Sequence, residues 1–305
     1  MVRRLLVGLL VVMAAVVGWL WFGTAPVRVS AEALGPHDPD VENGREMFFA
    51  GNCGACHATP NQKDALVLGG GYAMRTNFGT FRAPNISPDP SHGIGRWTEA
   101  QFVTALTKGM SPDGRHYYPI FPYASYQRMT HADARDLFAF IKTLSPVQSE
   151  SHPHELKFPY SIRLCVGLWK RLYLDGEAFM PDPNRDAEWN RGAYLVNGPA
   201  HCAECHSPRD ALGGIVEGQR FAGGPTADGK GWAPNITQWG LSHWEVDDIA
   251  SFLETGETPD YNVVGGDMSR VIANTARLTE EDRRAMAVYL KSLSEVEGPK
   301  RPDGS

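Results

Sequence analysis

The chain has few cysteines, no excess of basic residues and only one long apolar run. Only 5 of its 305 residues are cysteine, and four of these fall in two short motifs. Cys165 is left alone, which excludes a disulfide framework. The formal net charge of −6 excludes the positive electrostatic footprint of a nucleic-acid-binding protein. No stretch resembles a nucleotide, flavin or quinoprotein site, so a fused dehydrogenase is not expected.

The two cysteine motifs share the pattern Cys-x-x-Cys-His and stand 149 residues apart, at Cys53–His57 and Cys202–His206. This pattern is the attachment signal for c-type haem, in which two thiols form thioethers to one porphyrin and the next residue places an imidazole on the iron. The alternatives are a redox dithiol, a disulfide pair or half of a zinc site, and the following His and the duplication argue against them. We therefore predict two covalently bound haem c groups, attached through Cys53, Cys56, Cys202 and Cys205, with His57 and His206 as proximal ligands.

The motifs belong to a longer internal repeat. Ala83–Ile86 recurs as Ala233–Ile236, and Phe140–Leu144 recurs as Tyr289–Leu293, at nearly the same offset as the motifs. A constant offset indicates a duplicated domain with one haem motif near the start of each copy. The predicted boundaries are an N-terminal apolar segment 1–24, a linker 25–40, a first haem domain 41–148, an inter-domain segment 149–186 and a second haem domain 187–297.

Apolar residues at helical spacing predict a mainly α fold. The predicted helices are 43–50, 98–108 and 130–144 in the first copy, and 190–197, 245–254 and 279–293 in the second. Thr98 and Thr130 are predicted N-caps, and residues 65–89 are predicted to be irregular. Residues 160–174 could form a helix between the domains, either covering them or docking a partner or the membrane surface.

The apolar run covers Leu5–Phe22, 18 residues preceded by Arg3 and Arg4. This is about the length that spans a bilayer, and the two arginines predict a cytoplasmic N-terminus. A cleaved signal peptide, with a site near Ala31–Ala33, is the alternative. Both interpretations place the rest of the chain outside the cytoplasm, and we expect a single-pass protein of the inner membrane that faces the periplasm.

An electron-carrying haem usually has a second axial ligand, and Met at this position raises the reduction potential. In the second copy Met268 is the preferred ligand, because Met286 falls inside a predicted helix. In the first copy Met129 is preferred, and Met110 and Met74 remain alternatives. Histidine ligands also remain open, at His116, His131 and His243. Any such Met could instead fill a gap in the core.

Other repeated residues have two interpretations each. Pro84–Asn85 and Pro234–Asn235 either place donors near haem propionates or form turns. Trp97 and Trp244 either donate an indole N–H to a propionate or pack in the core.

Several segments resemble the cytochrome c subunits of bacterial membrane-associated dehydrogenases, which accompany quinoprotein alcohol dehydrogenases, flavin-dependent gluconate, sorbitol and fructose dehydrogenases, and molybdenum hydroxylases. The resemblance extends from Asn43 to Leu293 and is carried by Phe78–Phe81, Ala83–Asp89, Gly93–Trp97, Ser111–Pro119 and Trp189–Val196. It implies haem attachment at Cys53, Cys56, Cys202 and Cys205, proximal ligation by His57 and His206, and distal ligation by Met129 and Met268. Together with the repeat and the apolar run, the predicted fold is two tandem cytochrome c-like domains with long loops after one N-terminal transmembrane helix. Those subunits usually have three haem domains and this chain has two, so the resemblance identifies a cytochrome type and no substrate.

The predicted function is electron transfer from a partner dehydrogenase to the respiratory chain, with quinone, an oxidase or another cytochrome as acceptor. The chain itself would make no substrate bonds. The alternatives are a dihaem peroxidase, a thiosulfate dehydrogenase or a free-standing shuttle cytochrome. A peroxidase needs an open distal site, and a thiosulfate enzyme typically needs a Cys near the iron, whereas Cys165 lies in the inter-domain segment.

Overall fold

The computed structural model describes residues 4–8, 10, 11, 13, 18, 23–25 and 27–301. The fold is mainly helical, as predicted. From Ala31 onward the α-helices of the described residues are α1 Ala31–Leu34, α2 Val41–Ala50, α3 Cys53–His57, α4 Glu99–Lys108, α5 Tyr123–Tyr126, α6 His131–Thr143, α7 Leu164–Tyr173, α8 Ala187–Asn197, α9 Ala203–His206, α10 Gln238–Leu241, α11 Val246–Thr255, α12 Gly266–Thr275 and α13 Glu280–Lys291.

Two helix pairs repeat along the chain, α2 with α6 and α8 with α13. Both pairs cross at a glycine. A Cβ atom at Gly44 would lie 1.9 Å from the carbonyl oxygen of Asp136, and one at Gly192 would lie 1.8 Å from the carbonyl oxygen of Ala285. Only a hydrogen atom fits at either crossing, so the same close approach is built in both halves of the chain.

The middle helices α4 and α11 pack on α6 and α13. The side chain of Thr98 caps α4 as predicted, in a capping box with Gln101. Both middle helices end at a left-handed glycine, Gly109 with φ 59° and Gly256 with φ 72°. The N-cap role predicted for Thr130 is also confirmed, because its side chain accepts from the Asp133 backbone N–H at the start of α6.

Short strands lie in the loops that follow each haem motif, and one further strand follows α6. Antiparallel strands β1 Ala73–Thr76 and β2 Gly79–Arg82 form a hairpin, and β3 Glu155–Leu156 pairs with β2. In the second half β4 Gly224–Pro225 pairs with β5 Trp232–Ala233. The prediction that residues 65–89 are irregular was therefore wrong for the hairpin, whose strands are too short to show an alternating apolar pattern.

Most buried apolar residues of both halves form one continuous cluster, the central apolar cluster, which includes Phe48 and Ile141 from the first half and Leu195 and Met286 from the second. Both halves therefore pack against one another. A smaller cluster contains Phe81, Tyr118 and Val166.

The segment before α2 also contacts the first half, since the Val29 N–H donates to Thr104 Oγ1 at 3.0 Å.

The predicted membrane span, Leu5–Phe22, falls in large part on residues that lie outside the described ones, namely 9, 12, 14–17 and 19–22. Within the described part of the chain, no helix has the length and apolar character needed to cross a bilayer. The anchor therefore stays a prediction.

Candidate haem-attachment sites

The first cysteine motif lies on α3, a single turn that begins after Asn52, a residue in the left-handed conformation at φ 51°. On a helix, residues three and four apart lie on the same face. The spacing therefore places Cys53, Cys56 and His57 side by side, and all three side chains are half-buried. This arrangement brings two thiols and one imidazole to one patch of surface, as the sequence predicted.

The imidazole of His57 is held by its own half of the protein. The Nδ1 atom of His57 lies 2.8 Å from the carbonyl oxygen of Pro84. The backbone carbonyl oxygen of His57 accepts a hydrogen bond from the Gly70 N–H at 2.9 Å. Because a carbonyl oxygen only accepts, Nδ1 carries the proton and Nε2 keeps the lone pair that a metal ligand needs. Gly70 is required here, since a Cβ atom would lie 2.4 Å from the Pro84 carbonyl carbon.

The second motif repeats this geometry. His206 Nδ1 lies 2.8 Å from the carbonyl oxygen of Pro234, and the His206 carbonyl oxygen accepts from the Gly223 N–H at 2.9 Å. The helical turn is α9, which begins one residue after Cys202. Both proximal histidines predicted from sequence are therefore oriented by a proline carbonyl in the same way.

The protonation of these groups follows from their burial. Burial lowers the pKa of His57 and of His206, although the proline carbonyls oppose this. Both imidazoles are therefore favoured in the neutral form that binds a metal. Burial also raises the pKa of the Cys53 and Cys202 thiols to about 12 in each case, with a smaller contribution from the second thiol of each motif.

The repeated Pro-Asn pairs have roles that the sequence only partly indicated. Asn85 Nδ2 donates to the carbonyl oxygens of Val147 at 2.7 Å and Ser149 at 2.9 Å, and Asn235 Nδ2 donates to that of Val296 at 2.8 Å. The amide groups thus fasten the chain that follows α6 and α13, and each Asn Oδ1 accepts from the backbone two residues on. The turn interpretation is confirmed. The prolines hold the histidines, which sequence reasoning missed although the repeat of these residues was a signal.

The two motifs lie next to one another. His201, directly before Cys202, has Nε2 at 3.3 Å from the Gly51 carbonyl oxygen, and Asn274 Nδ2 donates to Asn52 Oδ1 at 2.6 Å. Burial is the main cause of the raised pKa of Cys205, and the Cys56 thiol of the other motif lies close enough to contribute to it. The residues directly before each motif are therefore in contact with the other half of the protein.

Helix α12, which was not predicted, connects the second half to the first motif. Arg270 Nη1 donates to the Ala55 carbonyl oxygen at 3.1 Å, and its guanidinium lies 4.4 Å from the centre of the Tyr72 ring. Met268 is half-buried on the first turn of the same helix. The predicted distal Met of the second haem therefore lies on an element that also contacts the first haem motif.

The candidate ligands of the first haem differ in their surroundings. Met129 is 1% exposed and belongs to the central apolar cluster. Met110 is equally buried, but its sulfur lies 3.5 Å from Lys170 Nζ. Met74 is half-buried on β1. The Met110 sulfur is thus already in contact with the Lys170 amine, which leaves Met129 as the preferred prediction.

The histidines considered as alternative distal ligands either contact another group or lie at the surface. His116 Nε2 lies 3.0 Å from the Thr24 carbonyl oxygen, whereas His131 and His243 are exposed at the surface. Trp97 and Trp244 are partly buried against the central apolar cluster. This position agrees with their interpretation as core residues.

The donor set fits covalent haem and does not fit a protein-only metal centre. Each half presents two thiols and one imidazole whose Nε2 is available to an iron. Over the residues that the structure describes, no group of three or more His, Cys, Asp or Glu side chains converges to hold a metal ion. The zinc interpretation of the Cys-x-x-Cys pairs therefore lacks its ligands.

Comparison with known proteins agrees with this geometry. The cytochrome c family model matches residues 41–145. A protein described as "Diheme cytochrome c-type" from Cereibacter sphaeroides is 44% identical over 97% of this chain and 99% of its own length. A nicotinate dehydrogenase component from Pseudomonas putida is 41% identical over 83% of this chain, and the fructose dehydrogenase cytochrome subunit from Gluconobacter japonicus is 37% identical over 88%.

The chain spans nearly all of the Cereibacter protein, whereas it spans 55% of the fructose dehydrogenase protein and 21% of the nicotinate dehydrogenase component. The resemblance inferred from the motifs and the prediction of two covalently bound haem c groups are both confirmed by these matches. The chain belongs to the dihaem c-type cytochromes.

Proposed function

We propose that this protein carries electrons between a dehydrogenase and the respiratory chain through two haem c groups held side by side. The observation that carries the proposal is the contact at the start of the two haem motifs: His201, directly before Cys202, lies against Gly51, and Asn274 of α12 donates to Asn52, directly before Cys53. Haem c supplies one-electron exchange between ferric and ferrous iron. The chain supplies attachment, fixed ligands and a short path between two sites.

The protein groups perform positioning rather than bond chemistry. The carbonyl oxygens of Pro84 and Pro234 fix the imidazoles, and the buried amide of Asn85 fixes the loop that supplies the first of these prolines. Rigid ligation limits the structural change that accompanies a change of redox state, which favours rapid electron exchange. Distal ligation by Met129 and Met268 completes the proposed coordination.

The proposed electron donor is the catalytic subunit of a dehydrogenase. Relatives named as cytochrome subunits of alcohol, fructose and gluconate dehydrogenases support this donor. The acceptor we propose is a quinone, an oxidase or another cytochrome. The thiosulfate dehydrogenase alternative is disfavoured because Cys165 lies exposed on α7.

We further propose two tandem cytochrome c domains, at 41–148 and 187–297, behind an N-terminal anchor that holds them on the periplasmic side of the inner membrane. The repeated glycine crossings and the repeated His–Pro contacts support the tandem arrangement. Support for a retained anchor comes from Thr24, which is 5% exposed. Cleavage after Ala33 would remove this buried residue.

The test uses the full-length holoprotein in native membranes. Membranes that contain the tagged chain are supplied separately with ethanol, fructose or gluconate, and the reduction of haem c is followed by its absorption. We expect one substrate to reduce both haems, and added peroxide or thiosulfate to produce no turnover in the purified protein. Turnover of peroxide or thiosulfate by the purified protein, at a rate above that of free haem, would replace this proposal with a catalytic function.

A further inference from the structure

Helix α7 and the residues before it expose an unusual amount of apolar surface. Five large apolar side chains are exposed within 15 residues, and we call them the α7 surface: Phe158 (81%), Tyr160 (46%), Ile162 (42%), Leu164 (47%) and Leu172 (66%). Leu164 and Leu172 are two turns apart on one helix face, with half-buried Leu168 between them. Clustered exposure of this kind marks an interaction surface rather than scattered surface residues.

The charge of this segment identifies the kind of partner. Residues 156–174 contain four Lys or Arg and no Asp or Glu, although the whole chain has a net charge of −6. The acidic residues that flank this segment, Glu155 and Asp175, form salt bridges with Arg82 and Arg128. Two of these cations are internal, since Arg163 lies over the Tyr118 ring and Lys170 donates to backbone carbonyl oxygens of the preceding half. Lys157 and Arg171 are exposed at the two ends of the α7 surface, although Lys157 Nζ also donates to the Asn77 carbonyl oxygen at 3.1 Å. Exposed apolar residues flanked by cations suit an anionic lipid surface.

The position of the N-terminal chain identifies which lipid surface is available. Gly23 follows the 18-residue apolar run directly, and a Cβ atom on Gly23 would lie 3.4 Å from Arg171 Cζ. Thr24 packs against Gly167 of α7 so closely that a Cβ atom at Gly167 would lie 2.5 Å from Thr24 Cβ. The end of the proposed anchor therefore lies on α7, and a bilayer that holds the anchor lies beside the α7 surface.

We propose that the α7 surface rests on the anionic bilayer beside the anchor and forms a second, peripheral membrane contact. Phe158, Ile162, Leu164 and Leu172 enter the boundary between headgroups and acyl chains, and Lys157 and Arg171 contact lipid phosphates. One anchor alone leaves a domain free to rotate above the membrane, whereas two contacts fix its orientation. The haem motifs are thereby held in one orientation toward membrane-bound redox partners. This proposal rests on the anchor proposed above.

Cys165 provides the probe, because it is exposed on α7 and the other four cysteines belong to the haem motifs. The full-length holoprotein is labelled at Cys165 with a small fluorophore and reconstituted in vesicles of phosphatidylethanolamine and phosphatidylglycerol. Fluorescence is compared between vesicles with and without bromine on the acyl chains. Quenching by haem is equal in both and cancels in the ratio. The control carries Cys165→Ser with Val263→Cys, which moves the label to a position that is 79% exposed in the second half.

We expect brominated lipid to reduce Cys165 fluorescence by about half or more and to leave the Val263→Cys label unchanged. Leu164→Ser with Leu172→Ser, both at exposed positions, should remove most of the quenching while the protein still floats with the vesicles. Protein that floats without quenching at Cys165 overturns the membrane contact alone. Protein that does not float overturns the anchor as well, and neither result changes the expected electron transfer. A different pair of results would assign the α7 surface to a protein partner instead. Brominated lipid would then cause no quenching in vesicles, and the label would be shielded from aqueous iodide only in the isolated dehydrogenase complex.

Discussion

Replacing Gly192 by Ala should destabilise the protein, although helix propensity alone predicts the opposite. Ala is favoured over Gly in the middle of a helix by about 1 kcal/mol. A Cβ atom at Gly192, however, would lie 1.8 Å from the Ala285 carbonyl oxygen, and heavy atoms do not approach a Cβ closer than 3.0 Å. Helices α8 and α13 must therefore separate by about 1 Å, which disturbs their shared close-packed core.

Overpacking of this kind lowers the free energy of unfolding by about 1–3 kcal/mol. Because the contact is with a backbone oxygen, we expect a value near the upper limit. After subtraction of the gain in helix propensity, the net loss of stability is about 2 kcal/mol. For a domain of about 100 residues this corresponds to a fall in Tm of about 8–16 °C. Gly44→Ala should behave alike in the first half, since its Cβ would lie 1.9 Å from the Asp136 carbonyl oxygen.

The assay is thermal unfolding of the holoprotein, followed by far-UV circular dichroism and by haem absorption. Gly218→Ala is the matched control, because nothing lies within 4 Å of a Cβ atom there, and its Tm should change little. A Tm for Gly192→Ala equal to or above that of the wild type would refute the close crossing of α8 and α13. Such a result would also remove one of the two structural repeats that support a duplicated domain.

Three further outcomes follow from individual contacts. Arg270→Gln removes a cation beside Ala55 in the first motif and should lower the potential of one haem by tens of millivolts in a redox titration, whereas Arg270→Lys should retain it. Burial raises the pKa of Asp136, but hydrogen bonds from its neighbours lower it by more, so that the pKa of the folded protein lies below the ordinary value. This carboxylate therefore stabilises the fold above pH about 4, and that stability is lost as the pH falls through the pKa of the folded protein. Urea unfolding at a series of pH values should therefore show a shallower acid dependence for Asp136→Asn. Asn85→Ala should cost about 1–3 kcal/mol and more than Asn235→Ala, because Asn85 is 3% exposed and its amide bonds two carbonyl oxygens instead of one. Equal losses would show that the second bond donated by Asn85 contributes no more than the bond that Asn235 Oδ1 accepts from Thr237 Oγ1 at 2.7 Å.

The features that the sequence predicted correctly are those with a local cause. Thr98 and Thr130 begin helices because their hydroxyls accept a backbone N–H in the first turn, and this needs only neighbouring residues. The haem motifs are likewise complete within five residues each. For His57 and His206 the structure shows the same orientation on a proline carbonyl oxygen, and their role as proximal ligands stays a prediction.

The features that the sequence did not predict depend on partners far along the chain. Helix α12 begins at Gly265–Gly266, two poor helix formers, and it is held by contacts of Arg270 and Asn274 with the first half. Pro84 orients His57 through its backbone carbonyl oxygen. Every residue has such an oxygen, so the residue type at position 84 does not predict this role. Its recurrence as Pro234 was the available clue.

The ligation of the two irons tests the account most directly, because pure electron transfer requires both axial positions to be filled. The measurement is the weak near-infrared band of Met bound to ferric haem, quantified per haem in the oxidised holoprotein. We predict two equivalents, with Met129→Leu and Met268→Leu each removing one. One equivalent or none in the wild type, together with a high-spin ferric signal, would contradict the assignment and would make a catalytic haem the better explanation.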